Sequence, residues 1–320
     1  MDNNEIMVSV ICTVYNHEKY LRKCLDGFVM QNTNFKFEVL IHDDASTDGS
    51  ADIIREYEKK YPDIIKPIYQ TENQYSKGIS ISATFLLPRA KGKYIALCEG
   101  DDYWIDENKL QQQYDYMKTN PQCSMCVHEA IQIDYVTNER RNVTGMAKDR
   151  DFKVDEVILG GGELFSTNSF FMKKNIYSDR LPCFAAEGFY DYQLCIYGAI
   201  NGDIHYFSKP MSVYNYAVPG SWSVRISNVR DKKITHNKEL IRMLNEVDKY
   251  YNYKFTSSIN KKIDKTQYCI YRLNGDYLKL LNIKYKQYYD EDAKCGKLLI
   301  LKECFAIKYK KVYEMYKRMF

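Results

Sequence analysis

The chain has 320 residues, 46 Lys and Arg against 42 Asp and Glu, and an apolar fraction of 45%, the makeup of a folded soluble protein with one large domain and an appendage. Strongly apolar stretches such as 298–301 fall far short of the ~20 residues a membrane span needs, and residues 1–5 are acidic rather than basic and apolar, so neither an integral nor a secreted protein is expected. Ten cysteines follow no disulfide framework in a chain long enough to build a core without one, which favours a reducing compartment, the cytosol.

In chain order, residues 7–14 are apolar and β-branched and read as a buried strand. A turn at Tyr15-Asn16-His17 leads to a helix over about 18–30, with Tyr20, Leu21, Cys24, Leu25 and Phe28 at helical spacing. A second strand, 37–41, runs into His42-Asp43-Asp44-Ala45-Ser46-Thr47-Asp48-Gly49-Ser50, where a second helix, 51–61, begins. Pro62 ends it. A third strand over 64–69, a polar loop over 70–80, a helical stretch to Ala90 and a strand over 94–97 follow. Such alternation predicts βαβ units, hence a parallel sheet with helices on both faces and ligands beyond the carboxyl ends of its strands.

Two acidic clusters fall at those ends: Asp43-Asp44, and Glu99, Asp101 and Asp102 around Gly100. Carboxylates crowded at a strand end repel one another unless a cation joins them, and hard oxygen ligands suit Mg²⁺ or Mn²⁺ beside substrate phosphates. An acidic turn also caps helices, but two clusters at one face favour a nucleotide–metal site. There is no GxGxxG after the first strand and no GxxxxGK[ST], and Gly160-Gly161-Gly162 reads as a bend between strands.

The series VSVICTVYN, VLIHDDASTDGS, AKGKYIALCEGDD and a later YDYQL resembles the family 2 glycosyltransferases of the GT-A fold, over about residues 6–220. The resemblance implies an α/β fold, a Rossmann-like, mostly parallel sheet flanked by helices, with a C-terminal α-helical extension. It implies a UDP-sugar donor. By position it places the base contact on Asp44 and further nucleotide contacts on Thr13, Tyr15 and His17. It places the ribose and metal on Asp101 and Asp102, with Asp102 as the ligand of Mn²⁺ or Mg²⁺. Three departures stand out: Thr13 where members usually have Pro, Glu99 in place of the first acid of the DxD-type motif, and Ser82-Ala83-Thr84 where an ARN-like segment would supply an arginine. Lys77 or Arg89 is the substitute for that arginine.

Beyond a helix over 109–118, a strand over 124–133 extends the sheet, and 138–151 reads as a polar loop over the site. His128, inside an apolar run, reads as a core histidine. Cys123 and Cys126 form a lone CxxC without a second pair to complete a zinc site. The alternation over 164–173 predicts a strand that turns Thr167 or Ser169 toward the cleft. The resemblance puts a general base on Asp191, with Glu187 as runner-up, because an acceptor hydroxyl must lose a proton as it attacks the anomeric carbon. Asp191 also suits a helix N-cap. Two strands are expected around Lys209-Pro210, then Tyr214-Asn215, where the family often has Tyr-Arg, and Trp222, placed either over a sugar ring or in the core.

Residues 251–320 hold 16 Lys and Arg against 7 Asp and Glu, leaving 30 against 35 in 1–250. Helices are expected from about 228, then over 256–274, 277–289 and 294–317, with breaks at Gly275 and Gly296. The last carries Leu298, Leu301, Phe305, Tyr309, Val312 and Tyr316 on one side. A basic amphipathic helix suits an anionic bilayer surface or packing on the protein or a second subunit. No motif supports nucleic-acid binding.

The expectation is a catalytic domain over 1–224, with a nucleotide-sugar half to about 120 and an acceptor half beyond it, and a helical extension over 225–320. Its activity is metal-dependent, inverting transfer from a UDP-sugar to a saccharide acceptor, lipid-linked or free, in surface polysaccharide synthesis at the cytoplasmic face of the membrane. The rivals are a nucleotidyltransferase on a similar sheet, disfavoured by the absence of a Gly-rich basic loop after the first strand, and a non-catalytic scaffold, disfavoured by the intact carboxylates.

Overall fold

In the computed structural model of the protein, residues 5–179, 190–219, 221, 224, 229–293 and 297–309 are described. Glu187, Trp222, Gly296, Val312 and Tyr316 lie outside them. The described residues cluster into two compact units, one of 5–179 with 191–219, the other of Tyr190, 221, 224, 229–293 and 297–309.

The first unit opens with β1 (Ile6–Val14), α1 (Glu18–Val29), β2 (Lys36–Asp43), α2 (Ser50–Lys60), β3 (Ile65–Tyr69), β4 (Tyr94–Leu97), β5 (Tyr103–Trp104) and α3 (Lys109–Thr119). It continues with β6 (Cys123–Asp134), β7 (Arg140–Asn142), β8 (Arg150–Phe152), α4 (Val154–Gly160), β9 (Phe171–Lys173), α5 (Lys174–Ser178), α6 (Tyr190–Asn201) and β10 (Asp203–Tyr216). The sheet runs β3-β2-β1-β4-β9-β6-β10-β5, with β7 on β6 and β8 on β10. The β1, β2, β3 and β4 pairings are parallel, as is β6 with β10, while β9 and β5 pair antiparallel to their neighbours. Six strands therefore point one way, and the carboxyl ends of β1, β2, β4, β6 and β10 share one edge.

The apolar periodicities account for this layering. Leu21, Cys24, Leu25 and Phe28 of α1, Ile53, Ile54 and Tyr57 of α2, and Leu110, Tyr114 and Met117 of α3 enter one core with the inward residues of β1 and β2. Helix α1 lies so close to β5 that a Cβ on Gly27 would sit 2.8 Å from the Trp104 carbonyl oxygen and 2.9 Å from its amide nitrogen.

Several local expectations are corrected. Residues 80–90 form single turns, Ser82–Leu86 and Leu87–Arg89, not one regular helix. Only Phe171–Lys173 of the 164–173 stretch is strand; Thr167–Ser169 is a 3₁₀ turn. The pair of strands expected around Lys209-Pro210 is one strand, β10, with register shifts flanking Pro210. The 138–151 segment carries β7 and β8, and buried Glu129 anchors it by accepting from the amides of Thr144 (3.1 Å) and Gly145 (2.7 Å).

The second unit is helical: α7 (Arg230–Tyr250), α8 (Thr256–Asn274), α9 (Tyr277–Leu280), α10 (Lys286–Ala293) and α11 (Lys297–Lys308). Gly275 ends α8 with φ +71°, a conformation that favours glycine. Tyr268, Leu280, Tyr285, Tyr289, Ile300 and Cys304 form its core, and Arg272 pairs with Asp292 and Glu303, both at 2.8 Å. Leu298, Leu301, Phe305 and Tyr309 are exposed. No helix among the described residues is long and apolar enough to cross a membrane.

Because backbone atoms of β5 meet the absent Cβ of Gly27, Gly27→Ala should force α1 and β5 apart at a cost of about 1–3 kcal/mol. Urea unfolding measures this. A midpoint equal to that of wild type would mean the contact is not a tight one.

Candidate active site

The end of β1 joins the two acidic clusters. The Val14 carbonyl accepts from the Asp44 amide (2.9 Å), and the Thr13 carbonyl accepts from the Gly100 amide (3.0 Å). The turn after β1 is zipped to the loop after β2: Asn16 N–H donates to Ser46 Oγ (2.9 Å), Thr47 N–H to Asn16 Oδ1 (2.8 Å) and His17 N–H to Ser50 Oγ (2.9 Å). Asn16 and Ala45 adopt positive φ, +58° and +61°. Two non-glycine residues in that region, one after β1 and one after β2, mark a locally strained site. Thr13 thus reaches the acidic turn through its backbone, and Tyr15 is half exposed beside it.

Of the first doublet, Asp44 was the expected base contact, but both its oxygens hold backbone: Oδ1 accepts from Gln74 N–H (2.8 Å) and Oδ2 from Tyr75 N–H (3.0 Å). Asp43 is buried, and its Oδ1 finds no hydrogen-bond partner among the described residues. Beneath them His42 is buried, stacks on Phe85 at 5.0 Å and meets Gln70 through Nε2 (3.1 Å). Burial lowers its pKa against the pull of Asp44 and Asp43, and the nearby Arg89 charge adds to the lowering. Arg89 therefore lies near this corner, whereas Lys77 pairs with Glu72.

The second cluster separates in the same way. Asp102, the metal ligand expected from the motif, is 4% exposed, and internal donors take both its oxygens. Asn168 Nδ2 donates to Oδ2 (3.0 Å), and the Asn215 N–H donates to Oδ1 (2.9 Å). Its pKa is raised, by burial first and then by the charge of Asp101. Asp101 is half-buried. Glu99 is open to solvent yet hemmed in closely enough that desolvation, then the charges of Asp101 and Asp191, push its pKa up to about 7. Gly100 between them is backed by His17, whose unpartnered, buried Nδ1 would lie 2.8 Å from a Cβ there.

Asp191 stands in the first turn of α6, and its Oδ1 accepts from the Tyr192 N–H (2.7 Å). Burial raises its pKa, and the Tyr192 N–H and its own amide work against that. The charges of Asp101 and Asp191 are both felt at Glu99. Tyr214 also senses Asp102, Glu99 and Asp101, and Tyr20 senses Asp101. Among the described residues no three His, Cys, Asp or Glu side chains converge as a metal cage. Protein oxygens can supply only part of a cation's shell here.

Sequence reasoning chose Thr167 or Ser169 to face the cleft and passed over the residue between them. Ser169 is buried, its Oγ bonded to the Ser166 carbonyl (2.6 Å), while Asn168 reaches Asp102. Lys109 was also missed. It is fully buried, with Nζ 2.8 Å from Gln113 Oε1 and 4.1 Å from the Trp104 ring centre.

A sequence model described as glycosyl transferase family 2 matches residues 9–181. The Mycobacterium tuberculosis (strain ATCC 25618 / H37Rv) uncharacterized protein Rv1520 is 35% identical over 217 residues, 67% of this chain and 60% of that protein, so the chain spans about 60% of that relative's length. The poly(ribitol-phosphate) beta-glucosyltransferase of Bacillus spizizenii is 35% identical over 114 residues, 35% of this chain and 17% of that one. Among solved structures, residues 1–349 of S. aureus TarS superpose with a TM-score of 0.59 at 15% identity, covering 98% of this chain and 92% of that one. The same protein with UDP-GlcNAc superposes at 0.55 and 17% identity over the same shares. At such identities the likeness is one of fold, and it bears out the GT-A-like sheet with a helical region after it.

Lys109 makes the burial of this corner measurable. Desolvation pushes its pKa from 10.5 down to about 7, so folding sheds a proton between those values and stability rises with pH across that window. Lys109→Met, of similar volume, should flatten the rise between pH 7 and 10 in chemical denaturation. An unchanged slope would show that Lys109 stays charged, held over the Trp104 ring.

Proposed function

The chain belongs to glycosyl transferase family 2, and on that premise we propose that it transfers a sugar from a UDP-sugar to a saccharide acceptor with inversion at the anomeric carbon. The observation that carries this reading is the joining of two acidic clusters, Asp43-Asp44 and 99–102, by the end of β1 at the carboxyl edge of the sheet, with the Asp191 charge felt at Glu99. The UDP donor is supported by the family and by the UDP-GlcNAc complex of a protein of similar fold. Asp43, with an unpartnered buried oxygen, is the better acceptor for a base N–H; Asp44 fixes the 73–75 loop around it. Thr13, Tyr15 and His17 line the same end of β1.

A divalent cation fits the donor set. Glu99 and Asp101 offer hard oxygens, and their mutual repulsion is what a cation would relieve. Two carboxylates completed by phosphate oxygens and water match the way Mg²⁺ and Mn²⁺ are held beside nucleotides. These two residues would hold it, and Asp102, buried and held by the Asn168 amide and the Asn215 N–H, would fix the turn. Bound there, the cation would stabilise negative charge gathering on the departing diphosphate.

Asp191 is the general base. The acceptor hydroxyl gives its proton to the Asp191 carboxylate as its oxygen bonds to the anomeric carbon from the face opposite the diphosphate. The bond from that carbon to the β-phosphate oxygen breaks, and its electron pair leaves with UDP. One displacement inverts the centre, and it needs no protein nucleophile. A carboxyl whose pKa burial has raised is a stronger base once ionised. A basic second unit with exposed Leu298, Leu301 and Phe305 suits a lipid-linked acceptor in surface polysaccharide synthesis, reached from the cytoplasmic face of the membrane.

Turnover of UDP-sugars with Mn²⁺ tests this. Asp191→Asn should lower kcat by about 10²–10⁴ while UDP still binds with Mn²⁺, and Asp101→Ala should lose both. In wild type, kcat/KM should fall toward acid pH as Asp191 protonates, at a pH above the usual carboxylate range. Undiminished turnover in Asp191→Asn would remove the base assignment, and the absence of any donor turnover in wild type would sink the reading.

A further inference from the structure

Asn168 and Asn215 meet the acidic turn from two sides. The Asn168 side chain is fully buried and makes four hydrogen bonds. Its Nδ2 donates to Asp102 Oδ2 (3.0 Å) and to the Val213 carbonyl (2.9 Å). Its Oδ1 accepts from Ser166 Oγ and Ser212 Oγ, both at 2.7 Å. Its backbone carbonyl accepts from Trp104 Nε1 (2.9 Å). Asn215, half-buried on β10, contributes backbone and side chain alike: N–H to Asp102 Oδ1 (2.9 Å) and Nδ2 to the Asp101 carbonyl (2.5 Å).

Such a set constrains more than a fold needs at a surface turn. An amide side chain has two donors and two acceptor lone pairs, and Asn168 uses all four, on Asp102, on Ser212 and Val213 of β10, and on Ser166 of its own turn. Asp102 is thereby immobilised at both oxygens, and Asp101 is gripped at its carbonyl. The directions in which the Glu99 and Asp101 carboxylates leave the turn are then set before anything binds. Asn215 stands at the position where the family often carries an arginine after tyrosine. An arginine's long, charged fork could reach past the turn to an anion. The short asparagine spends its amide on the Asp101 carbonyl instead.

We propose that Asn168 and Asn215 form a positioning clamp that presets the 99–102 turn for a divalent cation carried with a nucleoside diphosphate. The proposal rests on the reading of Glu99 and Asp101 as the cation's protein ligands. Neither asparagine touches the cation. Both act through Asp101 and Asp102, as partners behind metal ligands generally do, and loss of such partners typically weakens metal affinity 10–100-fold.

The test is Mn²⁺ binding in the presence of UDP, followed by electron paramagnetic resonance of the free ion, on the full chain. UDP binding in chelator, followed by calorimetry, is the reference. Asn215→Ala, which removes a half-buried amide, should fold and should raise the Mn²⁺ dissociation constant by about 10–100-fold with metal-free UDP binding unchanged. Asn168→Ala should do the same; if circular dichroism finds it unfolded, Asn215→Ala alone decides. A general loosening would weaken both ligands together, so parallel losses overturn the clamp, as does wild-type Mn²⁺ affinity in folded Asn215→Ala. Absence of Mn²⁺ binding by wild type with UDP overturns the proposed function, and the clamp with it.

Discussion

A carboxylate sunk into a protein interior destabilises it unless donors close around both oxygens, and the carboxyl edge of this sheet is assembled around one such group, Asp102. Its two partners come from the 3₁₀ turn before β9 and from the end of β10. Through Asn168 the same network holds the Trp104 indole. Trp104 in turn backs the close approach of α1 at Gly27 and lies beneath the Lys109 ammonium. Leaving a buried acceptor without its donor costs roughly 1–3 kcal/mol, more where the group is charged. The arrangement is therefore cooperative: segments far apart in the chain must arrive together for any of them to be satisfied.

The alternation of strand and helix was legible because period 2 and period 3.6 are written directly into the apolar residues of β1, α1, β2 and α2. The acidic clusters were legible for the same reason, since a strand's end can be counted from its apolar run. What was not legible was how the members of each doublet are hydrogen-bonded. Successive side chains at a strand end point to opposite sides, so a shift of one residue exchanges the inward and the outward carboxylate. Asp44 turned out to grip the Gln74 and Tyr75 amides and Asp102 to grip asparagines. Asn168 was hidden by a related error. Alternation over 164–173 suggested a strand, which puts Thr167 and Ser169 on one face, but the chain makes a 3₁₀ turn there and sends Asn168 inward.

The two doublets follow one rule. In each, one acid spends both oxygens on holding backbone or buried amides, and its neighbour is left under-satisfied: the unpartnered Asp43 Oδ1 in the first, the half-buried Asp101 in the second. Each oxygen so used accepts one bond and keeps a second lone pair, so these hydrogen bonds fix the direction of the acid, and the turn that carries its neighbour, without exhausting its own capacity to bind.

The remaining charge explains why donor and cation belong together. The charges of Asp101 and Asp191 add to the cost of ionising Glu99. On the proposed reading, a diphosphate entering alone would meet that negative charge unscreened and bind more weakly than with a cation. A cation entering alone would find only two carboxylates. Each improves the affinity of the other, and by linkage the improvement is equal in both directions.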